Sequence, residues 1–302
     1  MLEIVYNILY MYNLLLPPHQ NKSRNFQKNG DWGGFFPTLK SAEEYANSVK
    51  QTNYHKDRLR ALKYLLTNKA LKCKTSHKLN IVDFGIGDGS EFLQLKIKPK
   101  KLIGIDISQH MINLATLSIK KNFIGLVGST EVLKKIQSNS IDLILCINTL
   151  GYLTKRNQNL FFKESQRILK KNAFLVVMTG NELFDMYSLN SGTADFFKIN
   201  FNQKVSSLLT FGLTKRFKNA FRKNPLNFAS EIKLFGFNEI QQSFSQWHNM
   251  LPPIANIKYK NNLLIAREKS RNHNFDPNKL KSIDKWKAFF CCSMFASLAQ
   301  KI

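Results

Sequence analysis

Acidic side chains are scarce in this chain: 20 Asp and Glu stand against 45 Lys and Arg, a formal net charge of +25. Such an excess attracts phosphates, anionic lipid or acidic substrates, so a nucleic-acid partner has to be weighed. Composition alone also accounts for it. Lys, Asn, Ile and Phe are all plentiful, as AT-rich coding makes them, and charge of that origin spreads over a solvated surface. Cysteine is scarce too. Cys73, Cys146, Cys291 and Cys292 lack the spacing of a zinc site, and the adjacent Cys291 and Cys292 pair poorly with each other, which points to a reducing compartment. Histidines 19, 55, 77, 110 and 273 show no metal-ligand spacing, so no metal site is expected. Long apolar runs are missing. The stretch Met1 to Leu16 contains Glu3, is closed by Pro17 and Pro18, and lacks both a basic segment before it and a small-residue cleavage site after it. It is too short to span a bilayer and reads as a peripheral helix or strand that docks on something, with weak membrane contact as the lesser alternative. With no transmembrane segment in view, the expectation is a soluble, cytoplasmic protein. Repeats and low-complexity tracts are also lacking. What is present is 302 residues, 43% hydrophobic and 12% aromatic, enough to bury a sizeable core and to exclude wholesale disorder.

The polar stretch from Asn21 to Thr38, broken by Gly30, Gly33, Gly34 and Pro37, reads as a linker. Residues 1–40 are therefore taken as an extension and 41–302 as the folded domain. Ser41 with Glu44 fits a capping box, and helical spacing continues to Leu66 with Tyr45, Val49, Leu59, Leu62 and Leu66 on the buried side, so 41–77 holds N-terminal helices. Over 78–180, apolar runs alternate with amphipathic stretches. Strands are predicted at Leu79 to Phe84, Leu102 to Ile107, Phe123 to Val127, Ile141 to Ile147 and Phe174 to Thr179. Helices are predicted near Ser90 to Leu95, Ser108 to Lys120, Thr130 to Ile136 and Asn157 to Lys171. Five such units imply an α/β fold with a parallel sheet wound by helices on both faces. Residues 181–228 break the rhythm and read as a cap insertion. In 229–302, a helix at Ala229 to Leu234, a turn at Gly236 and a sixth strand at Phe237 to Trp247 precede a second cap segment, 254–285. Either Asn262 to Arg267 or Phe289 to Ala299 is apolar enough to be a seventh strand; the second is preferred.

The strongest local signal is Asn80-Ile81-Val82-Asp83-Phe84-Gly85-Ile86-Gly87-Asp88-Gly89-Ser90. An apolar strand ends in an acid and runs into alternate glycines before a helix, which brings backbone against a ligand and offers free N–H groups to it. A dinucleotide fingerprint beginning at Gly85 needs glycine or alanine where this chain has Ser90. Asp88 is expected to face solvent or cap the following helix.

This G-x-G-x-G pattern, with an acid two residues before its first glycine, resembles motif I of the class I S-adenosylmethionine-dependent methyltransferases. Leu102-Ile103-Gly104-Ile105-Asp106-Ile107-Ser108 with Met111 resembles that family's second strand, whose terminal acid accepts hydrogen bonds from the ribose of the cofactor. Gly128-Ser129-Thr130-Glu131 is similar to the turn that flanks adenine, Ser140 to Asn148 to the fourth strand, and Gly236-Phe237 to the pair before the sixth. The resemblance covers about Lys78 to Phe244. It implies a Rossmann-like seven-stranded sheet, mostly parallel with an antiparallel last strand, and S-adenosylmethionine as cofactor. It also implies that Asp83, Gly85, Gly87, Gly89, Asp106, Ile107, Met111, Ser129, Thr130 and Asn148 form the cofactor site. Many relatives place an acid at position 129, so the adenine contact falls to the Ser129 hydroxyl, a backbone group or water. Asp83 would support the methionine amino group; as a purely structural carboxylate it would instead pin the glycine loop, and the two roles are compatible.

Methyl transfer depends mostly on alignment, and a base is needed only when the acceptor must lose a proton. The acceptor therefore has to be approached by elimination. Asn148-Thr149-Leu150-Gly151-Tyr152 is not the Pro-Pro-aromatic turn of adenine N-methylating enzymes, and Cys146 lies within an apolar strand rather than beside proline as in cytosine C5 enzymes. The clusters Lys96-Lys98-Lys100-Lys101 and Lys215-Arg216-Lys218-Arg222-Lys223 could bind phosphates, which keeps an RNA substrate as an alternative. Trp247 to Pro253 and Trp286 to Phe295 resemble the ends of methyltransferases of sugar and surface-polysaccharide synthesis, which implies a small-molecule or glycan acceptor. His248 is then a candidate general base; alternatively it hydrogen-bonds the turn before Pro252. Tyr152, Asn181, Asp185 and Tyr187 follow the fourth and fifth strands and are candidate acceptor contacts. A noncatalytic binding protein on the same fold is the remaining alternative. Oligomeric state is not legible.

Overall fold

The computed structural model describes residues 36, 38–50, 53–67, 79–187, 221–249 and 271–302. Nearly all of the expected N-terminal extension, most of the cap insertion, the greater part of the second cap segment and the alternative strand at Asn262 to Arg267 lie outside the described residues, as do Cys73, His19 and His77. Two helices come first, α1 at Leu39–Lys50 and α2 at Asn53–Leu65. The capping box at the start of α1 differs from the expected one. Thr38 N donates to Ser41 Oγ at 3.2 Å and Ser41 N donates to Thr38 Oγ1 at 3.1 Å, so the reciprocal pair is Thr38 and Ser41.

Then β1 (Asn80–Phe84), α3 (Ser90–Leu95), β2 (Lys101–Asp106), α4 (Gln109–Ile119) and β3 (Phe123–Val127) follow in turn. A 3-10 turn at Thr130–Lys135 stands where an α-helix is predicted, and β4 (Ile141–Ile147) and α5 (Lys155–Ile168) come after it. The next strand, β5 (Leu169–Gly180), begins five residues before the predicted Phe174, because Leu169 already pairs with Ile141 across a register shift. The chain continues through α6 (Glu182–Tyr187), α7 (Phe228–Lys233), β6 (Phe237–Trp247), α8 (Trp286–Cys291) and β7 (Cys292–Lys301). The preferred seventh strand is thus the one that joins the sheet, although Phe289 and Phe290 belong to α8: with Ala288 and Cys291 buried three residues apart, that stretch closes a helical turn first.

The sheet order is β3-β2-β1-β4-β5-β7-β6, parallel from β3 to β5, with β7 antiparallel to both its neighbours. Strand residues alternate between two apolar layers. Val82, Phe84, Ile144 and Cys146 face a layer with Phe161 and Phe162 of α5 and Phe228 of α7. Ile81, Leu143, Leu145 and Ile147 face the other, with Leu59, Leu62 and Leu65 of α2, Phe92 of α3 and Ile112 of α4. Going outward from β1, the connections run to β2 on one side and to β4 on the other, and this reversal opens a crevice at the carboxyl ends of β1 and β4.

Candidate functional site

The crevice holds a cavity of about 200 Å³. Its floor is the glycine loop, in which Gly85, Gly87 and Gly89 have φ of 82°, 58° and 76°. Gly85 N and Ile86 N both donate to Ile105 O, at 2.7 and 3.0 Å, which ties the loop to β2. Gly87 N donates to Asp106 Oδ2 at 3.0 Å and Ser108 N to Asp106 Oδ1 at 2.9 Å, so the acid that ends β2 holds the loop from the side. A Cβ on Gly85 would stand 1.8 Å from Thr149 Oγ1, so only glycine lets the loop pack on the turn after β4; at Gly87 a Cβ would meet nothing within 4 Å. Asp88 lines the cavity, and its Oδ1 accepts from Ser90 N and Oγ, capping α3.

The far wall comes from β4. Asn148 has φ 57° and donates its N–H to Met178 O at 2.9 Å, and its Oδ1 is buried without a hydrogen-bond partner among the described residues. The wall also includes Thr149 and Tyr152. Burial raises the Tyr152 pKa, with Arg222 opposing, so the phenol keeps its proton and can donate. Ile107, Ser108, Met111, Gly128 and Ser129 complete the side near β2 and β3. Burial also raises the Asp106 carboxyl, against the N–H groups of Ser108, Gly87 and Ile107, which favour its charged form.

Sequence patterning misses the roof. Phe36 and residues of α1 and α2, namely Tyr45, Ala46, His55 and Arg58, cover the cavity. Arg58 Nε donates to Glu91 Oε1 at 3.0 Å. Burial works against this guanidinium, but the Glu91 carboxylate outweighs it and holds the Arg58 pKa above its ordinary value. Burial lowers the His55 pKa, leaving a neutral imidazole at neutral pH. The available signal is chemical: His55, Asp57 and Arg58 are polar residues set into a helix whose remaining buried positions, Leu59, Ala61, Leu62 and Leu65, are apolar.

Of the predicted cofactor residues, Gly85, Gly87, Asp106, Ile107, Met111, Ser129 and Asn148 converge on the cavity. Asp83, 3% exposed, sits at the end of β1 away from the cavity lining, and the loop N–H groups go to Ile105, Asp106 and Ile86 instead. Gly89 abuts Ile119, and Thr130 is buried outside the cavity. Among the acceptor candidates, Tyr152 lines the cavity, and Asn181 and Asp185 do not. Asn181 is fully buried, donating its carboxamide N–H to Phe289 O and Cys292 O at 2.7 and 2.8 Å. Asp185, 1% exposed, pairs with Arg222 at 2.6 Å. Tyr187 ends α6. His248 is 2% exposed, its ring packs tilted at 4.7 Å from that of Phe184, and it does not line the cavity. Cys146 is buried, and burial pushes its thiol well up, leaving no nucleophile there. Among the described residues, no group of three His, Cys, Asp or Glu could hold a metal ion, and no helix is long and apolar enough to cross a membrane.

Residues 82–177, from β1 to β5, match the family described as a methyltransferase domain. Over 142 residues the sequence is 28% identical to the ubiquinone biosynthesis O-methyltransferase of Pelagibacter ubique (strain HTCC1062), covering 45% of this chain and 57% of that protein, so it spans a little over half of that relative's length. A chain from the Haloferax volcanii complex of the Trm112 methyltransferase activator with a methyltransferase is similar in fold, with a TM-score of 0.53, 13% identity and coverage of 87% of this chain and 96% of that one. A SAM-dependent methyltransferase from Archaeoglobus fulgidus aligns at 17% identity over 80% of this chain and 93% of its own, with a TM-score of 0.46.

Proposed function

We propose that residues 82–177, which match the methyltransferase-domain family, belong to the class I, S-adenosylmethionine-dependent enzymes, and that the chain transfers a methyl group from this cofactor to an oxygen or nitrogen of a small-molecule acceptor. The observation that carries the reading is the cavity at the switch point, where Asp106 and a glycine cradle meet an Asn148 Oδ1 that has no partner among the described residues. These features suit the cofactor. A carboxylate with spare acceptor capacity can take two ribose hydroxyls, the glycines leave room for an amino-acid tail, and a buried carbonyl oxygen waits for a donor. Once bound, the cofactor supplies a methyl group on a positively charged sulfur whose leaving form is a neutral thioether. The chain's own part is to hold and align. Asp106 and Ser129 grip the nucleoside, the roof of α1 and α2 excludes water, and Tyr152, with its proton retained, orients what enters beside β4.

The relative's designation as an O-methyltransferase favours an oxygen acceptor. A sugar or glycan precursor is the narrower reading, and it rests on the C-terminal likeness at Trp247 and Trp286. Nucleic acid is less well supported. Lys96, Lys98, Lys100 and Lys101 lie before or at the start of β2, at the opposite edge of the sheet from the cavity, while Arg222 and Lys223 are paired with Asp185 and Glu231. Calorimetry with S-adenosylmethionine tests the cofactor half: binding is expected, weakened at least about tenfold in Asp106→Ala by loss of charged hydrogen bonds. Unchanged affinity in that variant would refute the assignment. Mass spectrometry of small-molecule extract incubated with the protein and isotopically labelled methyl donor tests the transfer, and a lack of any labelled product would favour a noncatalytic binder.

A further inference from the structure

The segment leading into β7 carries a surface that methyl transfer leaves unused. Ile283 is 81% exposed and Trp286 49% exposed, and around them stand Lys279, Lys281, Lys285 and Lys287 with one acid, Asp284. Exposed aliphatic side chains occur elsewhere on this chain, as at Leu234 and Leu117, but here an aliphatic group and an indole stand three residues apart on a lysine-flanked segment, which offers a partner apolar and cationic contacts together. The backbone beneath is fixed: Ala288 and Cys291 are buried, and Asn181 donates to the carbonyls of Phe289 and Cys292 at 2.7 and 2.8 Å. Lys287 Nζ reaches Asp284 at 2.7 Å and lies 5.9 Å from the centre of the Trp286 ring, while Phe290 packs 6.3 Å from that ring. An indole has an apolar body and a polar edge, and lysine stems cover apolar surface while their charges stay wet, a combination suited to the boundary between lipid headgroups and acyl chains.

Its place in the fold adds direction. Cys292 pairs with Trp247 and Met294 with Gly180, so α8 stands at the carboxyl edge of the sheet, the edge that also carries the glycine loop and Asn148. We infer that this face docks on an anionic lipid bilayer, with Ile283 and Trp286 entering the headgroup boundary, the lysines meeting lipid phosphates, and the cavity's edge of the sheet turned toward the membrane. Charge complementarity selects this occupant for a chain of net charge +25. RNA would also take lysines and stack on an indole, but the headgroup boundary takes the indole and the neighbouring aliphatic Ile283 together.

Co-sedimentation of the full chain with phosphatidylcholine vesicles, with and without phosphatidylglycerol, tests the inference. Binding is expected to the anionic vesicles, to fall as salt is raised, and to weaken roughly tenfold in Ile283→Ser/Trp286→Ser, whose melting curve and S-adenosylmethionine affinity should match the parent because both side chains are exposed. Tryptophan emission should shift to the blue on anionic vesicles in the parent and not in Trp286→Phe. Equal vesicle binding by parent and double variant, failure of the parent to bind anionic vesicles, or a double variant that loses only RNA-oligonucleotide binding would each overturn it. Cofactor binding without vesicle binding would sink this inference alone; vesicle binding without cofactor binding would sink the methyl-transfer reading alone.

Discussion

Asp83, next to last in β1, and Asp106, last in β2, differ in what surrounds them. Asp106 lines the cavity and already accepts backbone N–H groups from Gly87 and Ser108, while burial lifts its pKa above the ordinary carboxylate value. Ligand hydroxyls would donate to its charged form. Cofactor affinity is therefore expected to fall as pH is lowered from about 7 to about 5, as calorimetry at the two values would show, and the fall should disappear in Asp106→Asn. Asp83 is deeper, and burial, aided by the charges of Glu91 and Asp106, pushes its carboxyl well above the usual range. With the folded pKa raised, the group favours the fold while protonated and loses that contribution as pH rises through the unfolded and then the folded value. Asp83→Asn should accordingly melt at higher temperature than the parent at neutral pH, and the gain should vanish once the pH falls below the ordinary carboxyl range. If Asp83 serves the cationic end of the cofactor, the same variant binds it more weakly. The position of both acids is legible in the sequence, because each follows an apolar strand at a fixed distance from glycine. Their division of labour is not legible, since loop N–H partners depend on how β1 and β2 come together.

At the scale of elements, the two glycines that floor the cavity separate folding from binding. Gly85→Ala puts a methyl group into Thr149 at positive φ and should cost about 2–4 kcal/mol in denaturant unfolding. Gly87→Ala meets open space, so only its left-handed backbone should count, about 1–2 kcal/mol, while the added methyl narrows the cavity. Its loss of cofactor affinity should therefore exceed what its loss of stability suggests, a comparison that calorimetry and unfolding make together. Strand periodicity is strong enough to locate β1 to β4 and β6 from sequence. It fails at the starts of β5 and β7, where Lys170 and Lys171 continue a helical charge pattern into a strand and Phe289 and Phe290 carry strand-like apolarity into a helix.

Across the whole molecule, the roof is tied to residues more than 200 positions away in sequence. Arg60 donates to the carbonyls of His273 and Phe275 at 3.2 and 2.7 Å and to Asp57 Oδ1 at 3.1 Å, while His273 Nδ1 lies 2.7 Å from Asp57 Oδ2. Arg60→Ala should lower unfolding free energy by about 1–3 kcal/mol. Since α2 also carries His55 and Arg58, the variant should bind S-adenosylmethionine several-fold more weakly, whereas a purely local role would leave that affinity unchanged. No window of sequence periodicity reports such a contact, so the roof residues escape a reading that finds the floor.

The strand order 5-7-6 sets a timetable. Among the described residues β6 hydrogen-bonds to the rest of the sheet only through β7, and β7 begins at Cys292, well after β6 ends at Trp247. On the ribosome, a nascent chain that has emerged as far as Trp247 has β1 to β5 available to pair while β6 waits without a neighbour. Assembly of that half of the sheet must follow synthesis of β7, and until then the unpaired edge of β5 is the surface for chaperones to shield.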